Sequence, residues 1–178
     1  MNFLCINRKY KEETLMNIRR ALLKDYLNEL QTTYDIPPLS EVMENDAYHE
    51  YMLQQKDNME WIDIYANDGN KPIGFVMIAS EPCYHPDVDY YIAEAYISPE
   101  FRRQGLMTTT VSEFINAHDG IYSLFVIKDN LKANSFWTRL FVNHGYGPYT
   151  LTDVGIKADY CDELAFKKEE NTCKSQLG

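Results

Sequence analysis

The sequence predicts one α/β domain with a mixed central sheet of six to seven strands and about four flanking helices. Its length of 178 residues suits a single domain. Segments with helical spacing alternate with short β-branched and aromatic runs, and no repeat or low-complexity stretch separates them. We therefore expect one domain over residues 1–168, followed by a polar tail over residues 169–178.

A short strand near the N-terminus precedes two predicted helices. Between residues 10 and 31 apolar side chains recur at spacings of three and four, with charged residues between them, which is typical of an amphipathic helix. Pro37 and Pro38 end this pattern, and a second helical segment follows over residues 40–57.

Three strands come next. Residues 61–66 and 72–80 are rich in β-branched and aromatic side chains, and Asp68-Gly69 between them predicts a hairpin turn. Residues 89–98 form a long strand candidate after a proline-containing loop.

The second half of the chain alternates helices and strands. Helices are predicted over residues 105–118 and 131–144, where apolar side chains fall on one side. The nearly continuous apolar run over residues 121–127 predicts a strand covered on both faces. Two closing strands are predicted over residues 148–152 and 162–168.

The chain is acidic, and its charge is unevenly distributed. Asp and Glu number 27 against 17 Lys and Arg, for a formal net charge of -10, which argues against a nucleic-acid partner. Residues 34–100 hold 14 acidic and 2 basic side chains and 8 of the 14 tyrosines, whereas residues 101–140 hold 5 basic and 3 acidic ones. This partition suits an anionic ligand beside the later segment and a cation beside the earlier one, with a plain solvated face as the alternative.

The composition also bears on location and on metals. No stretch reaches the roughly 20 consecutive apolar residues that a membrane span needs, and the N-terminal apolar run precedes its basic cluster, the wrong order for a signal peptide. We expect a cytoplasmic protein with no membrane partner. The 4 cysteines and 4 histidines lack metal-ligand spacing, so we expect no metal.

The most informative stretch joins the strand over residues 89–98 to the helix after it. Arg102 and Arg103 precede Gly105, and the helix begins at once. The first amides of a helix have no intrahelical partner, and the helix dipole adds partial positive charge there, so this junction is a candidate anion site. Gly105 lets a phosphate approach closely, and either arginine can add a charge-assisted hydrogen bond. An ordinary strand-to-helix turn is the alternative.

Two spaced motifs carry a family resemblance. The first consists of Ile97, Pro99, Phe101, Arg102 and Gly105, and the second of Asn130, Ala133, Phe136 and Gly145-Tyr146. They match V-x-P-x-[FY]-R-x-x-G-x-[GA] and N-x-x-A-x-x-[FY]-[YF] with a terminal G-[FY], so the chain resembles the GNAT superfamily of N-acyltransferases. Met107 departs from the first motif, where the family usually has Gly or Ala. The resemblance implies a GNAT-like fold and acyl transfer from coenzyme A to an amine.

The resemblance also implies where acetyl-CoA binds. The pyrophosphate would be held by Arg103 and by the amides of Gln104, Gly105, Met107 and Thr108. Backbone groups of Tyr96 and Ile97 would pair with the pantetheine arm, and Asn130 would lie beside it. The Met107 amide is available if the side chain points away from the loop, whereas an inward side chain would narrow the pocket.

Glu94 is the candidate catalytic base. It lies within a predicted strand of Tyr, Ile and Ala, where a carboxylate is costly unless it is paired or used. By the period of two, its face also carries Ile92 and Tyr96. Similar enzymes often use a Glu on this strand, and a partly desolvated carboxylate can take the proton of an ammonium group. The alternative is a carboxylate that bonds a tyrosine or the substrate without proton transfer.

Trp137 stands where many relatives have a tyrosine that protonates the departing thiolate. An indole N–H donates a hydrogen bond but is not a general acid near neutral pH. Three alternatives follow: water assists the thiolate, another tyrosine such as Tyr96, Tyr146 or Tyr149 substitutes, or the site is impaired. The apolar stripe of its helix includes Trp137, which favours core packing.

These observations predict an N-acetyltransferase that moves an acetyl group from acetyl-CoA to a primary amine by direct attack. The acidic segment favours a cationic acceptor: a small-molecule amine, a polyamine, an aminoglycoside or lysine. The alternative, motivated by Met107 and Trp137, is a coenzyme A-binding module with little turnover that serves as a sensor or structural partner. A nucleotide-binding protein fits less well, because the sequence has neither a Walker-type lysine motif nor G-x-G-x-x-G. The sequence is compatible with a homodimer.

Overall fold

The computed structural model describes residues 12–36, 59–66, 69, 71–80, 85–151 and 159–168. The helices in these ranges are α1 (Glu12–Thr33), α2 (Leu106–Ala117) and α3 (Leu131–Asn143). The strands are β1 (Met59–Tyr65), β2 (Pro72–Ser80), β3 (Tyr90–Ile97), β4 (Tyr122–Ile127), β5 (Tyr146–Pro148) and β6 (Cys161–Lys168). A 3-10 turn, Pro99–Phe101, follows β3. None of the described helices is long and apolar enough to cross a membrane.

The six strands form one mixed, open sheet with the order β1-β2-β3-β4-β6-β5. Neighbouring strands are antiparallel except β3 and β4, which are parallel and are joined through α2. The predicted α/β domain with a mixed sheet of six to seven strands is thereby confirmed, and the β1–β2 hairpin with it. The predicted N-terminal strand and the predicted helix over residues 40–57 lie outside the described residues.

Helices cover both faces of the sheet, and β2 lies at the centre of the packing. Phe75 and Met77 pack in a cluster with α1, whereas Val76 and Ile78 pack in a larger cluster with α2 and α3. All four side chains are at most 1% exposed. Because successive residues of a strand point to opposite faces, the continuous apolar run of β2 is explained by burial on both sides.

β3 and β4 are paired over only three residues each. Tyr90–Ile92 pairs with Tyr122–Leu124. Beyond these residues β3 stays with β2 as far as Ile97, while β4 stays with β6 as far as Ile127. Each strand thus follows its other neighbour, and the two part. Among the described residues, the pairing of β3 with β4 does not continue over residues 93–97, which opens the sheet at its middle.

An extra residue in β3 changes which side chains share a face. Met77 pairs with Glu94 and Ile78 pairs with Ile92, so Ala93 is an additional residue between the two pairs, as in a β-bulge. Residues directly opposite each other share a face. Glu94 therefore lies on the α1 face with Met77, and Ile92 lies on the opposite face with Ile78. The expectation that Ile92 and Glu94 share a face is wrong, because the bulge shifts the alternation by one.

The strand after α3 begins earlier than the sequence predicts. β5 covers Tyr146–Pro148 instead of residues 148–152. Gly145 has a φ of 77°, in the left-handed region, and turns the chain directly out of α3. Tyr146 is then 2% exposed and packs against Phe141 at 5.8 Å between ring centroids. Burial of this aromatic ring therefore accounts for a strand that begins two residues before the predicted one.

Gly74 is required where β2 passes the end of β3. A Cβ atom at this position would overlap the backbone oxygen of Tyr96 and lie 2.9 Å from Cγ1 of Ile97. We expect Gly74→Ala to lower the free energy of unfolding by about 2 kcal/mol, since neither strand can move apart without breaking the sheet. Chemical denaturation measures this change. Ser80→Ala, at the exposed end of β2, is the control and should stay within about 0.5 kcal/mol of the parent protein. Equal effects of the two variants would contradict the close approach of the strands.

Candidate functional site

A cavity of about 480 Å³ lies where β3 and β4 part. Its lining includes residues from both faces of the sheet, with Tyr26 and Leu27 of α1 on one side and Ala133 and Trp137 of α3 on the other. The cavity therefore passes through the sheet. Glu94 is part of the lining, so the candidate base faces this space.

The α1 side of the cavity is aromatic. Tyr91 and Phe125 lie on the α1 face of β3 and β4, with their ring centroids 6.0 Å apart and their planes at 69°. Tyr26 faces them from α1. Tyr160, just before β6, also lines the cavity. Tyr91, Phe125 and Glu94 are each half-buried, as expected for side chains that border an accessible space.

The α3 side of the cavity contains the motif asparagine and the tryptophan. The Asn130 side chain caps α3, and its Oδ1 accepts a hydrogen bond from the Ala133 amide at 3.1 Å. Trp137 is 6% exposed, packs in the core cluster and also lines the cavity. The expectation of core packing for Trp137 is confirmed. Asn130 and Trp137, which stand at the first and last positions of the asparagine motif, thus lie on the same side of the cavity.

The loop before α2 presents backbone donors to solvent. Gly105 is the N-cap of α2, with a φ of 78°, and its carbonyl accepts the first helical hydrogen bond from Thr109 at 2.9 Å. No side chain caps this helix start, so the amides of Leu106, Met107 and Thr108 precede the first intrahelical bond. A Cβ atom on Gly105 would meet nothing within 4 Å, so the space above the loop is open. The geometry fits a bound anion.

Backbone strain is also concentrated in this loop. Arg103 has a φ of 63°, the one left-handed residue other than glycine among the described residues. Such a conformation costs about 1–2 kcal/mol for a residue with a side chain. Arg103 is exposed, so its guanidinium lies at the surface beside the helix start.

Arg102, in contrast, is engaged with other parts of the fold. Its guanidinium donates to both carboxylate oxygens of Glu29 on α1, at 2.8 and 2.6 Å, and its Nε donates to the Ile97 carbonyl at 2.8 Å. It also lies over the Tyr96 ring, 5.5 Å from the centroid. The hydrogen bonds to Glu29 raise the pKa of Arg102, so the guanidinium stays ionised. Arg102 therefore connects the loop to α1 and to the end of β3, and its role as a phosphate ligand stays a prediction.

The sequence profile of the Acetyltransferase (GNAT) family matches residues 21–141, more than half of the chain. The chain belongs to this family. GNAT proteins transfer an acyl group from coenzyme A, and the expected resemblance is confirmed. No curated protein matches the chain.

Solved structures agree on the fold. An acetyltransferase from Thermus thermophilus has a TM-score of 0.56 and 13% identity, with 85% of this chain and 90% of that one covered. A protein from Corynebacterium glutamicum, described as histone acetyltransferase HPA2 and related acetyltransferase, has a TM-score of 0.63 and 16% identity over 92% and 96% of the two chains. The PaiA N-acetyltransferase from Thermoplasma acidophilum, solved with coenzyme A, has a TM-score of 0.51 and 16% identity over 88% and 92%. At these identities the likeness is one of fold.

The departure of this GNAT chain from the family motif at Met107 is accommodated by packing. The Met107 side chain is partly buried and packs against the core cluster beneath α2. It therefore points away from the loop and does not narrow the space above it. A backbone donor depends little on residue type, so the motif function at this position does not require Gly or Ala.

The tyrosines proposed to replace the missing acid lie elsewhere. Tyr96 packs in the α1 cluster, where burial and then the charge of Glu29 raise its pKa. Tyr146 packs in the other cluster, where burial raises its pKa. Neither lines the cavity, nor does Tyr149. Among the described residues, the tyrosines that do line it are Tyr26, Tyr91 and Tyr160. Helical spacing already placed Tyr26 on the apolar face of α1, but nothing in the sequence singles out Tyr91 or Tyr160.

The described part of the chain contains no group of three or more His, Cys, Asp or Glu side chains that could hold a metal ion.

The Glu29–Arg102 pair allows a test that separates two roles of Arg102, because the two roles predict opposite changes in the Kd for coenzyme A when Glu29 is replaced. If Arg102 acts by holding the loop against α1, Glu29→Gln should raise the Kd for coenzyme A about three- to tenfold, because the loop loses a charged contact. If Arg102 binds phosphate directly, the same change releases it from a competing carboxylate and lowers the Kd. Isothermal titration calorimetry measures the sign, and we expect the increase.

The matched control is Asp25→Asn, which removes an exposed charge from the same helix without breaking a bond to Arg102. This control measures how far the Kd for coenzyme A changes simply because α1 has lost one negative charge. Both variants should unfold within about 1 kcal/mol of the parent protein, since exposed ion pairs contribute little to stability. A lower Kd for Glu29→Gln than for Asp25→Asn would contradict the positioning role.

Proposed function

We propose that the chain is an N-acetyltransferase that transfers the acetyl group of acetyl-CoA to a primary amine by direct attack, in the cytoplasm. The observation that carries the proposal is that Glu94 and the part of β3 that has separated from β4 face one cavity, which crosses the sheet. Family membership supports the acyl-CoA donor. The Glu94 carboxylate at the cavity supports an amine acceptor, because an ammonium group must give up a proton before it can attack.

The donor would be held by backbone groups for most of its length. The helix start at Gly105, with the amides of Gln104, Met107 and Thr108, suits a pyrophosphate, and the exposed Arg103 adds a positive charge. The pantetheine arm would then run along β3 over residues 93–97, where the pairing with β4 does not continue among the described residues. Amide-bearing chains pair well with such an edge. Asn130 lies further along the same cavity.

The acceptor would enter from the α1 side, where Glu94 lies. An alkyl ammonium has a pKa of about 10 and is not a nucleophile until it loses a proton. Glu94 takes that proton, directly or through water, and the amine nitrogen attacks the thioester carbon. The new C–N bond forms as the C–S bond breaks, the nitrogen gives up its second proton to water, and coenzyme A leaves as a thiolate. Trp137 cannot supply a proton to the thiolate, so water at the cavity protonates it.

A second candidate function is a coenzyme A-binding module with little turnover. The specific observation in its favour is Trp137, which fills the position of the usual acid and is packed in the core. Thiol release separates the two candidates. Acetyl-CoA that binds but releases no thiol with any primary amine supports the module, whereas amine-dependent release supports the enzyme.

Glu94→Gln tests the base. We expect kcat to fall about 10²- to 10⁴-fold at pH 7, because most of the amine is protonated there and needs the carboxylate. As the pH rises toward about 10 the free amine accumulates, so the deficit should shrink. The Kd for acetyl-CoA should not change. Glu60→Gln, an exposed carboxylate on β1, is the control. An unchanged rate and pH profile in Glu94→Gln would remove this residue from the mechanism.

A further inference from the structure

We propose that the acceptor is a primary amine with an aromatic or compact apolar body, bound by an aromatic subsite that consists of Tyr26, Tyr91 and Phe125. Its reacting nitrogen lies at Glu94. The inference rests on the proposed function and names the substrate class for the same site. It separates this class from the polyamines, aminoglycosides and lysine that the overall acidity of the chain also suits.

The first argument is the position of the carboxylate relative to the aromatic rings. Tyr91 and Glu94 are three residues apart, so in a regular strand they would point to opposite faces. The extra residue Ala93 brings both to the α1 face, as their partners Ala79 and Met77 on β2 show. The bulge therefore places the single charged group of β3 beside the aromatic subsite.

The second argument is that the aromatic rings are held in fixed positions. Phe125 contacts Tyr91 edge-on, as described above. Tyr26 packs against Phe75 at 6.1 Å and 87°, and against Tyr96 at 5.7 Å. Rings fixed in this way offer apolar surface at little further cost in side-chain entropy. An aromatic or branched apolar body fills such a space.

The third argument comes from the remainder of the α1 wall. Leu27 and Leu30 of α1, and Ile36 after it, line the same cavity. Transfer of a second ammonium group from water to this wall would be costly without a counter-charge. A single cation, the one that Glu94 deprotonates, avoids this cost.

The fourth argument is the placement of the acidic residues. Of the 14 acidic residues between positions 34 and 100, the structure describes seven, and Glu94 is the one of these that lines the cavity. Asp63 is bonded to Arg19 through both carboxylate oxygens, at 2.9 and 2.8 Å. Asp89 accepts from the Ile121 amide at 2.7 Å. Apart from Glu94, these seven described carboxylates thus lie outside the cavity and do not form a cluster there that would bind a polycation.

The experiment compares kcat/KM by thiol release with acetyl-CoA and four amines: 2-phenylethylamine, spermidine, kanamycin and Nα-acetyllysine. We expect 2-phenylethylamine to exceed each of the others by at least about tenfold, the discrimination typical of an apolar pocket. Added salt to about 0.5 M should change its rate less than twofold, since the aromatic body is not held by charge.

Two variants assign the preference to the subsite. Phe125→Leu keeps an apolar side chain in β4 and should raise the KM for 2-phenylethylamine about three- to tenfold, with the KM for acetyl-CoA unchanged. Tyr149→Leu makes the same kind of change on an aromatic residue outside the cavity and should leave both values as they are. Equal effects of the two variants on the amine KM would overturn the assignment.

The outcomes distinguish this inference from the proposed function. Faster turnover of spermidine, kanamycin or Nα-acetyllysine would overturn the inference and leave the acetyltransferase in place. Binding of acetyl-CoA without thiol release for any of the four amines would overturn both.

Discussion

The structure depends on one constraint, the parting of two parallel strands in the middle of the sheet. β3 and β4 have three residue pairs in common and then separate, because each keeps its antiparallel neighbour on the outer side. Separation ends the pairing between the two strands in a part of the fold that is otherwise well packed, where a ligand or water can bond to the backbone in place of a strand. The pantetheine site proposed above uses this geometry, since an extended, amide-bearing ligand would replace the missing strand pairing.

The bulge at Ala93 is the second half of the same arrangement. Without it Glu94 would lie on the opposite face from Tyr91, and the pairing of β3 with β2 would continue with the regular alternation. With it the carboxylate reaches the face on which α1 packs, at the level where the strands begin to part. In the proposed function this one additional residue sets the face from which the acceptor would meet the donor, and bulges commonly re-aim a side chain beside active sites in this way.

The sequence predicted the parts of this site that depend on local chemistry. The helix start at Gly105 is a local signal, and α2 and α3 begin within one residue of the positions that the spacing predicts. The capping role of Asn130 was not predicted. The face of Ile92 was predicted wrongly, because a bulge has no signature in a run of β-type residues. The engagement of Arg102 with Glu29 was also beyond reach, since the two are 73 positions apart and both types occur in many exposed places. Long-range pairing and register, rather than composition, decided these features.

The helix α1 connects the two halves of the site. Tyr26 and Glu29 are three residues apart and so are neighbours on one side of α1. Tyr26 lines the cavity, while Glu29 holds Arg102 and, through it, the end of β3 and the loop before α2. The wall that faces the acceptor and the contact that orients the donor loop thus belong to one rigid element. A change that shifts α1 along the sheet must therefore alter both the aromatic subsite and the position of the loop. The packing of α1, rather than a direct contact between the two sets of binding residues, would position the two proposed substrates relative to each other.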